Sequence, residues 1–257
     1  MDSDDDARRA FMRNLAHELS GPLTPIAGYL RILQGEKLGA LSPQQRRIVE
    51  AMLHASVRLT RIVENLSDFA TLGAPETRLH AEPFDPDRLA EEVVEEQRGA
   101  IRDGRLHVEV VPSGQGPLLG DGKKLRQALG NLVSNAVKFS PHGAEVRVEV
   151  LRAGGRLRFR VWDQGPGIPL GAGDGLFEPL RHARRRAGDD AGPPGSGLGL
   201  PVARRIAEAH GGTVTFESPP RTQPVAAGHA YAGALFVLDV AAAPADDAGL
   251  PAGPGLR

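Results

Sequence analysis

No cysteine occurs among the 257 residues, which excludes disulfides, thiolate nucleophiles and thiolate metal sites and fits a reducing cytosol. Aromatic residues make up only 4% of the chain, too few for the stacking platforms that hold single-stranded nucleic acids. Neither sign of charge dominates. Lys and Arg number 31 against 32 Asp and Glu, a formal net charge of −1, so no nucleic acid or anionic membrane surface is expected as a partner. No apolar run approaches the roughly 18–20 residues of a membrane span, and the opening MDSDDDARRA has none of the features of a signal peptide. The expectation is a cytoplasmic chain without a membrane segment. What is present, 40% hydrophobic and 25% charged residues, is the composition of a globular protein with room for one large domain or two modest ones.

Hydrophobic periodicity divides the chain. Phe11, Met12, Leu15, Leu19, Leu23, Ile26, Leu30 and Leu33 follow helical spacing and fall, at about 100° per residue, within a stripe roughly 120° wide. His17 lies about 200° from Leu15, on the polar face with Arg13, Ser20 and Thr24. Gly21, Pro22 and Pro25 follow within two turns, and Pro22 cannot donate to the carbonyl of Glu18, so a bend is expected beside the histidine. After the short joint GEKLGALSP, Met52, Ala55, Leu59, Ile62, Leu66 and Phe69 alternate spacings of three and four, a coiled-coil seam. Two such helices make an antiparallel hairpin, and pairing two hairpins into a four-helix bundle is the simplest way to cover the stripe.

The second half mixes elements without a regular βαβ repeat. DPDRLAEEVVEEQRGA and DGKKLRQALGNLVSNAVKFS read as helices, the latter with Leu125, Leu129, Leu132, Ala136 and Phe139 on one side. LHVEVVP is a strand, AEVRVEVLRAGGRLRFRVWD a hairpin, and PVARRIAEAH a helix before the strands GTVTFES and ALFVLDV. This is an α+β sandwich. The expected division is a helical hairpin at 1–72, a breaker-rich linker at 73–83, the sandwich at 84–240, and a tail at 241–257 too poor in apolar residues to fold.

Two glycine-rich turns stand in the sandwich, DQGPG at 163–167 and GSGLGL at 195–200, the second running into a helix. Glycine lets backbone N–H groups approach phosphate oxygens, and a helix N-terminus adds favourable partial charge. Neither turn matches G-x-G-x-x-G or a P-loop, and taken singly each reads at least as well as an ordinary turn. Asn131 and Asn135 sit four residues apart on one helix with Lys138 one turn on. Amide oxygens suit Mg²⁺ and a lysine suits phosphate, although a polar outer face has the same spacing.

In this order the motifs resemble one family. AHELSGPLTPI is similar to the phospho-acceptor box of sensor histidine kinases, LRQALGNLVSNAVKFSP to their N box, VWDQGPGIP to the G1 box, LFEPL to the F box and GSGLGLPVARRIAEAHGG to the G2 box. The resemblance runs from about Phe11 to Val240. It implies the transmitter core of a two-component system, with a dimerising histidine-phosphotransfer hairpin followed by an ATP-binding domain of GHKL type. His17 would take the γ-phosphoryl group of ATP and pass it to an aspartate of a response regulator receiver domain, with Glu18 orienting or deprotonating the imidazole. Asp163 would accept from the adenine amine, beside Gly165 and Gly167. Asn135 would hold Mg²⁺, with Asn131 close by. Lys138 would contact phosphate, and Gly195, Gly197 and Gly199 would line the phosphates. The segment between Gly167 and Gly195, with its RHARRR run, would be an ATP lid.

The resemblance has one clear departure. Kinases of this family that also dephosphorylate their regulator usually carry Thr or Asn four residues after the histidine, where this chain has Gly21. A protein-histidine kinase is therefore expected, a soluble one or the core of a longer chain. The alternatives are a degenerate kinase that binds nucleotide or a regulator as a scaffold, and a GHKL protein-serine kinase of the anti-sigma type, which lacks the hairpin.

Overall fold

The structure, a computed structural model, describes residues 2–71, 79–169, 171, 173–179, 197–224 and 230–244. It separates into two compact units, Met1–Ala74 and Pro75–Arg257.

The first unit is a helical hairpin of α1 (Asp2–Gln34) and α2 (Pro43–Thr71). The joint carries its own stop and start signals. Glu36 adopts a left-handed conformation at φ 53° and its carboxylate pairs with Arg46. Ser42 and Gln45 form a reciprocal cap: the Gln45 N–H donates to Ser42 Oγ at 3.2 Å, and the Ser42 N–H to Gln45 Oε1 at 2.9 Å. Pro43 takes the first helical position, where its missing N–H costs nothing.

The broad apolar stripe of α1 splits in two. Ala16, Leu23 and Leu30, one heptad apart, are buried against α2, which presents Val49, Ser56, Val63 and Ala70 at the same repeat. Leu15, Leu19, Ile26, Met52 and Leu59 remain 40–52% exposed. A single partner helix covers only a narrow seam, so the rest of the stripe lies bare. Helix α1 includes Pro22 and Pro25 within its span. The Ser20 and Thr24 hydroxyls donate back to the carbonyls of Ala16 and Ser20 in this stretch.

The second unit is a sandwich. Its main sheet has the order β2-β4-β5-β7-β6, from His107–Val111 (β2), Glu145–Ala153 (β4), Arg156–Asp163 (β5), Leu235–Ala241 (β7) and Thr213–Glu217 (β6). Only β2 and β4 run parallel. Gly154 and Gly155, both at positive φ, close the β4–β5 hairpin. Strict alternation fills one face: Val146, Val148 and Val150, then Leu157, Phe159 and Val161, then Phe236, Leu238 and Val240 are all buried. Helices α3 (Pro86–Glu96), α5 (Gly122–Phe139) and α6 (Gly199–Ala209) lie against that core, and α4 (Arg98–Gly104) follows α3 after a break at Gln97. Asp85 and Asp121 cap α3 and α5.

The opposite face is charged. Arg147 pairs with Glu109 at 2.6 Å and Glu149 at 3.1 Å, and Asp239 receives Arg156 and Arg158 at 2.6 Å each. Trp162 stands on this outer face too, yet it is fully buried. The segment after β6 folds over it, so that its indole N–H donates to Thr222 O at 2.9 Å and Tyr231 and Leu235 pack beside it.

A second, three-stranded sheet holds β1 (Glu82–Phe84), β3 (Leu118–Gly120) and β8 (Ala243–Pro244), with β3 central and both neighbours antiparallel to it. Residues 82–83 and 243–244 were expected in the linker and in the unfolded tail. Strands of two or three residues have no period to read, and they form because β3 offers them a partner. Phe84 seats over Gly120 and Gly122, where an added Cβ would come within 3.1 and 3.0 Å of its ring and its Cβ. Linker residues 73–78 and tail residues 245–257 lie outside the described residues. Phe139 departs from the helix face assigned to it: at 39% exposure it lies at the end of α5, under Lys138 Nζ, which stands 4.7 Å from the ring centre.

Candidate active site

His17 is exposed on α1, on the face away from the buried Leu23 and Leu30. It borders a groove of about 390 Å³ shared with Arg13, Ser20, Gly21 and Thr24 of α1 and Ser67 of α2. Glu18 is also exposed but does not line the groove, as expected for a helical neighbour that projects about 100° away. A Cβ added at Gly21 would meet nothing within 4 Å. The groove floor is open at the point where a longer side chain would reach in.

In the second unit, Asp163 ends β5 with its carboxylate buried. Its Oδ1 accepts from the N–H groups of Gly165 at 2.8 Å and Ala234 at 3.1 Å. Burial pushes this carboxyl above the usual range, and the two N–H bonds oppose that shift. Among the described residues Oδ2 has no hydrogen-bond partner. A buried carboxylate oxygen held ready in this way favours an amine donor from a ligand.

The glycines around it are required by space. A Cβ on Gly165 would sit 2.9 Å from Asp163 Oδ1 and 3.0 Å from Phe139 O, which brings the end of α5 against the turn. A Cβ on Gly233 would lie 2.1 Å from Asp163 Oδ1. Gly167 has φ 74° and would place a Cβ 2.8 Å from Ser218 Oγ.

Asn131 is buried and donates through Nδ2 to Gly199 O at 3.1 Å, fixing the first turn of α6 against α5. Gly199 packs so closely that an added Cβ would be 3.4 Å from that amide. Asn135, one turn on, makes no hydrogen bond among the described residues, which leaves its amide oxygen available. Lys138 is half-buried and desolvation lowers its pKa, which a bound polyphosphate would offset. The N-cap residue of α6, Leu198, makes no side-chain cap bond, and the first N–H groups of a helix have no partner within the helix itself. Gly197 precedes it at φ 67°.

The structure thus clusters Asp163, Gly165 and Gly167, and separately joins Asn131 to Gly199. Gly195 and the lid run RHARRR lie outside the described residues. Ser218, Gly233 and Ala234 complete the Asp163 cluster, although none of them was among the expected site residues. Sheet pairing brings them in from 50 to 71 positions away. No group of three or more His, Cys, Asp or Glu able to hold a metal occurs among the described residues. No helix among them is long and apolar enough to cross a membrane.

A phospho-acceptor-type hairpin followed by an ATPase sandwich defines a class, and comparison with known proteins agrees with it. Residues 7–75 match the His Kinase A (phospho-acceptor) domain, and residues 120–240 match the histidine kinase-, DNA gyrase B- and HSP90-like ATPase family. The sensor protein DivL of Caulobacter vibrioides is 34% identical over 217 residues, 83% of this chain and 26% of DivL. SenX3 of Mycolicibacterium smegmatis, a sensor-like histidine kinase, is 30% identical over 84% of this chain and 55% of its own length. The chain therefore spans between about a quarter and about half of these relatives. Among solved structures, full-length ShkA in complex with AMPPNP superposes at a TM-score of 0.65 with 29% identity, covering 92% of this chain and 46% of ShkA. The mycobacterial sensor histidine kinase MprB matches at a TM-score of 0.50 and 29% identity, covering 64% of this chain and 99% of that structure. The chain belongs to the sensor histidine kinases and comprises their transmitter core.

Proposed function

We propose that this chain is a protein-histidine kinase of a two-component system. The ATP-binding unit delivers a γ-phosphoryl group to His17, and the phosphohistidine then passes it to an aspartate on a response regulator receiver domain. The observation that carries this reading is the exposed His17, on a polar groove of a hairpin whose chain also builds a glycine-lined cradle around a buried acidic residue.

In the first step a lone pair of neutral imidazole attacks the γ-phosphorus, the bond to ADP breaks, and the ring N–H proton is lost. The neutral ring is the attacking species because only it has a free lone pair on nitrogen. Most of the rate comes from positioning and charge neutralisation. Asp163 accepts the adenine amine on Oδ2, Gly165 and Gly167 leave room for the ring, and Lys138 and the open α6 N-terminus with Gly197 and Gly199 receive phosphate. Asn135, whose amide is uncommitted, would hold Mg²⁺, and that ion supplies charge neutralisation at the phosphates. Asn131 holds α6 in place, and Glu18 is the candidate to orient the imidazole or take its proton. Two chains pair through the bare stripe of Leu15, Leu19, Ile26, Met52 and Leu59. The use of ATP as phosphoryl donor is what supports a cytoplasmic site of action in this reading.

The test is incubation with labelled ATP and Mg²⁺. Label should be stable to base, labile to acid and absent from His17→Gln, while that variant binds ATP as tightly as the parent. Undiminished labelling of His17→Gln refutes the assignment. Hydrolysis of the regulator's phosphoaspartate should be slow, because Gly21 has no side chain to hold a water in line. Gly21→Thr, for which the groove has space, should raise phosphate release above the regulator's own decay.

A further inference from the structure

Ser218 lies at the end of β6, outside every motif discussed so far. Its hydroxyl is used twice. It donates to Gly233 O at 2.9 Å and accepts from the Ile168 N–H at 2.8 Å. Ile168 follows Gly167 in the glycine turn, and Gly233 leads into β7. One hydroxyl therefore ties together two segments that flank Asp163.

Those segments set the position of the Asp163 carboxylate. Asp163 donates its N–H to Ala234 O at 2.9 Å and accepts from the Gly233 N–H at 3.2 Å through its backbone carbonyl. Its Oδ1 is fixed by Ala234 N–H from one side and Gly165 N–H from the other. The clearances leave no slack: a Cβ at Gly233 would strike Asp163 Oδ1, and one at Gly167 would strike the Ser218 hydroxyl itself. A shift of the Gly233 segment or of the Gly167 turn thus moves the carboxylate or its surroundings directly.

We propose that Ser218 is a positioning residue for nucleotide recognition, clasping the Gly167–Ile168 turn to Gly233 so that Asp163 Oδ2 is aimed at the base. The proposal rests on the assignment of Asp163 as the adenine acceptor. Only a hydroxyl meets the demand, since the same atom has to donate to a carbonyl and accept from an N–H. Alanine leaves a buried carbonyl and an N–H without partners. Threonine keeps both bonds.

The experiment compares ATP and GTP with the full chain, reading nucleotide affinity by calorimetry and KM and kcat by autophosphorylation. Ser218→Ala should raise the Kd and KM for ATP about tenfold, the scale of one or two net hydrogen bonds, with kcat at saturation retained. Its preference for ATP over GTP should shrink by a similar factor, and Ser218→Thr should restore it. Where alanine gives no folded protein, Ser218→Cys keeps the volume and weakens both bonds. If the serine variants lose thermal stability but keep the parent's ATP-over-GTP ratio, the role is structural and the proposal fails. A further tenfold loss when Ser218→Ala is added to Asp163→Asn also overturns it, because the two are argued to act through one carboxylate. Should Asp163→Asn alone leave the ratio unchanged, the adenine assignment itself is wrong and the proposal falls with it.

Discussion

Among the described residues, every large hydrophobic side chain that is markedly exposed belongs to the hairpin, with the sole exception of Phe139. Conversely, the largest fully buried side chains belong to the ATPase unit, apart from Val63. The two units are stabilised in different ways. The sandwich closes a core between one sheet face and three helices within a single chain. The hairpin buries one seam of mostly small residues and leaves a second, larger seam bare. Among the described residues the hairpin thus carries the exposed apolar surface, and the sandwich carries the closed core.

The largest effect should come from attacking the bare seam. Leu59→Asp alters a residue that is 45% exposed in the single chain, so the hairpin's own packing should survive. If two chains pair here, each loses a leucine worth roughly 1.5–3 kcal/mol on burial, and the dimer dissociation constant should rise at least about a hundredfold. Sedimentation over a range of concentrations reads this directly. An unchanged dimer would erase the contrast between the units. Phe159→Ala strikes the closed core and should cost about 3–5 kcal/mol, measured by denaturant unfolding. That loss should not depend on protein concentration.

A smaller effect sharpens the contrast within the sandwich. Burial raises the Asp163 pKa above its reference of 3.8, so the native state binds this proton more tightly than the unfolded chain does. Stability contributed by the protonated form is therefore lost as pH rises from the unfolded value through the raised native one. Asp163→Asn keeps the Oδ1 acceptor and removes the charge. Without nucleotide, this variant should unfold at a higher denaturant concentration than the parent at neutral pH and show a flatter pH dependence. Its ATP affinity should fall by about 1.5–3 kcal/mol. A variant less stable than the parent at neutral pH would show that the carboxylate supports the fold as well as the ligand.

What the sequence made legible follows from period and motif. The alternation in EVRVEVL and RLRFRVWD is strong because one sheet face is wholly buried, and the periodicity around Leu125 to Ala136 marks a helix against it. The short strands at Glu82–Phe84 and Ala243–Pro244 carry no such pattern, since their pairing is determined by β3 far along the chain. In the hairpin, the stripe from Leu15 to Ile26 was legible as apolar. Its division into an inner and an outer seam depends on where α2 sits, which period alone does not fix. Asp163, Gly165 and Gly167 could be picked out as a local turn. Ser218 and Gly233 could not, because they join that turn only after β6 and β7 have paired.

Trp162, the only tryptophan in the chain, sits under the Thr222 and Tyr231 cover, directly before Asp163. It makes one unit visible to light independently of the other. Emission excited selectively at the indole reports the sandwich alone, while the hairpin contributes mainly to the helical circular dichroism. Unfolding followed by both signals separates the two units without cutting the chain. Only the circular dichroism transition should shift with protein concentration. Because the indole is next in the chain to Asp163, the proposed adenine acceptor, its emission should also change in nucleotide titrations, with no dye attached.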